Sequence, residues 1–209
     1  MRLFLPAAAV AALIVSAACT SGPAPPVDRQ AYVERLAEAR ALKDKTFREE
    51  PGPIPVAKRA TLLPLRYYAP DPAYSVPAEL KLANERPVFD MPTSTGTLRK
   101  MERVGILEFS LQGQPMSLAA FVGQGEALEV LFVPFTDLTT GKETYSAGRY
   151  LEIRPTSTGF YNIDFNTAFN PTCAYNETYE CPYPPPSNRL KVEIKAGEKA
   201  PADEKAPAA

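Results

Sequence analysis

From about Lys81 onward, apolar residues recur at every second position, and a period of two dictates strands in place of helices. The stretch VGILEFSLQGQPMSLAAFVG holds two such runs joined at Gln112-Gly113-Gln114-Pro115, the pattern of a hairpin. ALEVLFVPF lacks the alternation and reads as a strand covered on both faces, while YLEIRP, GFYNIDF and RLKVEIK supply three more short strands. Short strands in this number pack as an antiparallel β-sandwich or small barrel, so the expected fold is mainly β.

Residues 27–50 break this period. Tyr32, Val33, Leu36, Ala39 and Leu42 recur at steps of three and four, Asp28 stands where a helix cap belongs, and Asp44 is spaced to pair with Arg48. These features predict one amphipathic helix whose apolar stripe packs on the β-domain. PGPIP at 51–55 ends it, because proline removes an amide donor and disfavours helix in the preceding residue. The proline-interrupted LLPLRYYAPDPAYSVPAELK then reads as an irregular wrap around the core. A single β-rich domain is expected over 51–198, and residues 199–209, rich in alanine, proline and charge, read as a disordered tail.

The chain opens MRLFLPAAAVAALIVSAAC, an apolar run too short for a spanning helix and laid out like a secretory signal. Ser16-Ala17-Ala18-Cys19 resembles a bacterial lipobox, which implies a lipoprotein signal peptide at 1–18 and a lipid on the Cys19 sulfur. A plain secreted protein cut after Ala18 is the alternative. Small, proline-rich residues 19–26 form a flexible spacer, and Thr20, not aspartate, follows the cysteine. By resemblance to sorting in diderm bacteria, that favours the outer membrane, with the domain facing the periplasm of the cell envelope.

Histidine is absent, which excludes Ser-His and Cys-His nucleophile pairs and the commonest zinc ligand. The formal charge of -1, without a basic cluster, gives no electrostatic case for nucleic acid. The expected partners are the membrane, through Cys19, and a small polar ligand. No residue pattern specifies an oligomeric state.

Three segments in order, GKETYSAGRYLEI, DFNTAFNPTCAYNETYECPYPPPSNRL and VEIKAGE, resemble the bacterial and archaeal family called domain of unknown function 1684, over roughly residues 60–198. Glu143, Tyr145, Gly148, Arg149, Asp164, Asn166, Asn170, Pro171, Cys173, Cys181 and Asn188 are the positions that match its pattern. The resemblance implies no activity, so chemistry has to be read from the residues.

Two polar loops, 135–149 and 164–181, carry the candidates. In one reading Arg149 fixes an anionic group of a ligand, with Glu143, Tyr145, Asp164, Asn166 and Asn170 as polar contacts. An alternative is a carboxylate-dependent hydrolase in which Glu143 and Asp164 move the proton. A third is a purely structural lipoprotein in which carboxylates clamp a buried Arg149. Asp164, Asn166 and Asn170 with Asp137 or Glu143 could surround a hard cation, but DFNTAFN lacks the carboxylate density of calcium loops, and no metal or cofactor is expected. The tyrosines of these loops suit either a sugar or peptide groove or ordinary packing.

With Cys19 lipidated, Cys173 and Cys181 remain as a pair. Their C-x7-C spacing matches neither thioredoxin-type nor common zinc patterns, so a disulfide is expected in an oxidising compartment, with a reactive thiol as the rival. Pro182, Pro184, Pro185 and Pro186 then form a stiff wall beside 164–170.

Overall fold

The computed structural model describes residues 28–154, 156 and 160–204; the segments expected to be a signal peptide, a lipidated Cys19 and a spacer, and residues 205–209, lie outside the described residues. Helix α1 runs Arg29–Arg48 and α2 runs Val56–Leu62. The strands are β1 (Ser75–Leu82), β2 (Val88–Pro92), β3 (Leu98–Leu111), β4 (Gln114–Gly123), β5 (Leu131–Phe135), β6 (Arg149–Ile153) and β7 (Tyr161–Asp164). They form one antiparallel seven-stranded sheet in the order β6-β5-β4-β3-β1-β7, with β2 also paired to β3. The sheet curls until β6 approaches β7 and Tyr150 bridges Phe169, so it is nearly closed into a barrel.

The alternation in sequence maps onto the two faces. Leu118, Ala120 and Val122 of β4 join Leu131, Val133 and Phe135 of β5 inside the barrel, while Ala119 and Phe121 face outward with Met91 and Met101. The β3–β4 hairpin turns at Gln112 (φ 52°) and Gly113 (φ 77°), two successive left-handed residues whose twist matches that of the strands. Gln112 accepts a conformation that its Cβ disfavours.

β4 and β5 meet in the ladder only at Phe121 and Phe132. Pro134 has no N–H to donate, and the strands part beyond that rung. Asn188, fully buried, fills the gap. Its side chain accepts from Ala119 N at 2.8 Å and donates to the carbonyls of Ala119 and Pro134, each at 2.8 Å. One amide side chain thus replaces the missing rungs.

α1 is capped as expected, with Asp28 accepting from Ala31 N at 3.1 Å, and it packs on the barrel through Tyr32 and Leu36. Asp44 does not pair with Arg48; its carboxylate accepts from Leu65 N at 2.9 Å and ties the helix to the proline-rich wrap. Between PGPIP and that wrap, VAKRATL has no proline and forms the short α2.

The stretch RLKVEIK is not a strand. Its period of two is real, since Leu190, Ile194 and Ala196 enter the main core, but it pairs only through a parallel bridge of Arg189 with Thr136, just past β5, where Leu190 N donates to Thr136 O at 2.8 Å and Leu138 N to Val192 O at 3.0 Å. The side chain of Arg149 binds the Ile194 carbonyl and, just beyond the stretch, those of Ala196 and Glu198. The chain also stays ordered past 198: Ala200 N donates to Glu143 O at 3.0 Å, Ser146 N to the Glu204 carboxylate at 3.0 Å, and Lys58 pairs with Asp203 at 3.4 Å.

Candidate functional site

Arg149 is the first residue of β6 and points inward, 1 % exposed. Gly148, at φ +92°, delivers it through a tight turn; a Cβ there would lie 2.7 Å from Phe135 O. The guanidinium donates to Asp137 at 2.8 Å, to Ile194 O at 2.9 Å, to Glu198 O at 3.2 Å and to Ala196 O. Asp137 in turn accepts from Thr139 N and Oγ1 at 2.7 and 2.6 Å, and from Ile194 N at 3.2 Å. Arg149 is therefore brought to Asp137 and not to Glu143 or Asp164, and it offers no face to a ligand from solvent.

Glu143 lies on the surface, where it accepts from the Tyr68 hydroxyl at 3.1 Å and pairs with Lys195 at 3.4 Å. Burial, and then the bond to Glu143, push the Tyr68 phenol upward. Tyr145 is half-buried beside Cys173 and Glu177, and burial raises its phenol too. Asp164 ends β7. Both its oxygens receive the Tyr32 hydroxyl at 2.9 Å, and Oδ1 also accepts from Asn166 N and Nδ2 at 3.0 Å each. Asn166 turns its amide to the Asp71 backbone, accepting from Asp71 N at 2.9 Å and donating to Asp71 O at 2.7 Å.

Asn170 joins a buried carboxylate that the sequence reading had placed at the edge of the tail. Glu198, 1 % exposed, accepts from Lys43 at 2.5 Å, Tyr67 at 3.3 Å, Asn170 N at 2.7 Å and Tyr175 at 2.7 Å. Asn170 Nδ2 donates to Tyr175 Oη at 3.1 Å and Lys199 O at 2.8 Å. Burial foremost, then Glu198, lifts the Tyr175 phenol well above its ordinary range. The knot holds α1, the wrap and the chain end to the barrel. Only a glutamate in a segment otherwise rich in small residues hinted at it.

The geometry that invites a ligand lies elsewhere, on the outer face of β3–β6. A cleft of about 540 Å³ has Phe132, Tyr150 and Phe169 at its floor and the Cys173–Cys181 loop as one wall. Phe132 and Tyr150 meet edge to face at 4.7 Å, and Tyr150 and Phe169 at 5.9 Å. The Tyr150 hydroxyl donates to Pro182 O, which binds the floor to the wall. Cys173 and Cys181 form the disulfide and are buried against Tyr150. On the rim, Arg99 pairs with Glu180 at 3.1 Å and Lys100 with Asp90 at 3.0 Å. Glu152, directly opposite Phe132 in the β5–β6 register, is exposed and has no ion-pair or hydrogen-bond partner among the described residues. Sequence reasoning missed this surface, although the outward positions Phe121, Phe132, Tyr150 and Glu152 follow from strand alternation.

Among the described residues, no group of three or more cysteine, aspartate or glutamate side chains is placed to hold a metal ion. No described helix is long and apolar enough to cross a membrane.

Residues 61–199 match the family described as Protein of unknown function (DUF1684). The chain belongs to that family. The chain is also similar to a solved structure, the solution NMR structure of an uncharacterized protein from Haloarcula marismortui: 37% identity over 82% of this chain and 96% of that one, with a TM-score of 0.65. No curated protein matches. The DUF1684 segment contains Arg149, Asn188, Glu198 and the whole β-sheet, whereas α1, which supplies Lys43 and Tyr32, precedes it.

Proposed function

We propose that this DUF1684 protein is a binding domain tethered in the cell envelope by a lipid on Cys19, and that its ligand is a small molecule with an apolar ring and a cationic group. The aromatic cleft beside the disulfide loop carries this reading. At about 540 Å³ it falls within the roughly 300–1,000 Å³ of small-molecule sites, with an apolar floor and a few polar groups on the rim. The rim cations already have carboxylate partners, which leaves to a ligand the carboxylates of Glu152 and of Glu126, the latter accepting only from Gly123 N, next to rings that favour a cation over their faces. The loop 164–181 contributes Phe169, Pro171, Thr172, Glu180 and Cys181 to it.

The loop 135–149 serves the fold in this reading, with Arg149 as an internal clamp. A hydrolase built on Glu143 and Asp164 would need the two carboxylates to converge, and they have no bonding partner in common.

Titration of the labelled domain with benzyltrimethylammonium tests the reading by NMR. Binding should perturb Phe132, Tyr150 and Thr172 and should weaken by about tenfold or more in Glu152→Gln, a loss on the order of 1.4 kcal/mol. Absence of those perturbations, or equal affinity in the variant, removes the reading.

A further inference from the structure

A second hollow, of about 520 Å³, lies between the first two turns of α1 and the end of β7. Tyr32, Arg35 and Leu36 line it from the helix, and Ser75, Asn162 and Asp164 from the barrel. Tyr32, Arg35 and Leu36 share one helical flank because residues three and four apart are neighbours. We infer that this hollow binds a neutral, hydroxyl-rich ligand of sugar type.

The argument begins with charge. Arg29 pairs with Asp71 at 3.9 Å, and Arg40 donates to the carbonyls of Tyr68 and Asn166 at 3.0 and 3.4 Å. Arg35 has no partner among the described residues, and Asp164 has no cation within ion-pair distance among them. The charges that the hollow presents are thus one guanidinium and one carboxylate, which cancel and give an ionic ligand no net field to follow.

Hydrogen-bonding capacity remains. Asp164 Oδ1 already takes three donors, but Oδ2 takes only the shared Tyr32 proton and keeps a free lone pair. Asn162 commits one N–H to Ser75 Oγ at 2.9 Å, leaving its carbonyl and second N–H open. Thr167 donates to Asp164 O at 2.7 Å and can still accept. Donors and acceptors interleaved in this way suit adjacent hydroxyls, each of which both gives and receives, while Leu36 and Pro72 offer apolar surface to ring C–H groups. Asp164 cannot shift on binding, because Tyr32 and Asn166 hold it in place.

This inference does not depend on the aromatic cleft, and the test separates them. Cellobiose, maltose and N,N′-diacetylchitobiose are titrated into the labelled protein by NMR, with O-phosphoethanolamine as an ionic control. At least one disaccharide should perturb Tyr32, Asn162 and Thr167 saturably at millimolar concentration. Arg35→Ala and Asn162→Ala alter exposed side chains and should fold, yet each should weaken that binding about tenfold or more. Glu152→Gln should leave it unchanged. Failure of all three disaccharides, perturbation by O-phosphoethanolamine alone, or unchanged affinity in Arg35→Ala would overturn the inference.

Discussion

Arg149 and Asp137 form an ion pair at 2.8 Å with side chains only 1 % and 0 % exposed, and the same guanidinium gathers three backbone carbonyls from residues 194–198. A charge so enclosed is tolerable because Asp137 and the three carbonyls hold both terminal nitrogens, Nε alone having no hydrogen-bond partner among the described residues. Arg149→Ala should therefore cost about 3–5 kcal/mol in urea unfolding. Arg149→Lys should recover little, since an ammonium lacks the planar fork that reaches Asp137 and the carbonyls together. Glu143→Gln, on a solvated pair with Lys195, should stay within about 1 kcal/mol of the parent. If the two sites proved equally sensitive, the clamp assigned to Arg149 would be wrong.

Asn188 predicts a local effect as well as a global one. Asn188→Ala strands Ala119 N and the Ala119 and Pro134 carbonyls in the interior, each unsatisfied group costing about 1–3 kcal/mol. Hydrogen exchange should locate the damage. The Ala119 amide should lose protection well before the Leu107 and Leu118 amides of the β3–β4 ladder do.

Alkali should unfold the protein through its phenols. Burial, with help from Asp164, Glu198 and Glu143 at particular sites, raises Tyr32, Tyr67, Tyr68, Tyr145, Tyr150 and Tyr175. A raised phenol binds its proton more tightly when folded. Its contribution is whole below about pH 10, where the unfolded phenol titrates, and is lost progressively above that. Phenolate absorbance should thus rise in a steep step coincident with loss of secondary structure by circular dichroism. A smooth titration of all tyrosines while the fold persists would contradict this.

Acid acts on the rim of the cleft. Hydrogen bonds from Thr97 and then Arg99 hold the Glu180 carboxyl below its ordinary range. A lowered folded value means the tether persists above the unfolded carboxylate range and loosens only as pH falls through the folded value. The side-chain carboxyl signal of Glu180 should therefore titrate below ordinary glutamate, and Arg99→Ala should move its midpoint upward. The disulfide loop should become more mobile over the same interval.

Strands β3, β4, β6 and β7 were legible because alternation is a local signal, written wherever one face is buried, and β5 as a continuous apolar run. RLKVEIK carried the same signal and yet formed no strand, because pairing depends on a neighbour that alternation cannot name. Asp137 was visible only as one of several loop acids; its choice by Arg149 depends on the turn at Gly148 and on a chain end that returns 45 to 49 residues later. Asp164 and Asn166, two residues apart, share hydrogen bonds that their spacing allows, but Tyr32, which also binds Asp164, is 132 residues away. Cys173 and Cys181 form the expected disulfide, and the wall they build gains a role only beside Tyr150.

Lys43 reaches Glu198 from a helix that precedes the family-matched segment at 61–199. The family-matched segment and the length of chain that supplies every partner of Glu198 are consequently different. A gene trimmed to that segment would encode a barrel whose Glu198 keeps Tyr67, Asn170 and Tyr175 but loses its cation, Lys43, and whose Asp164 loses the Tyr32 hydroxyl. Expression boundaries for this protein belong ahead of Asp28, where the cap of α1 begins.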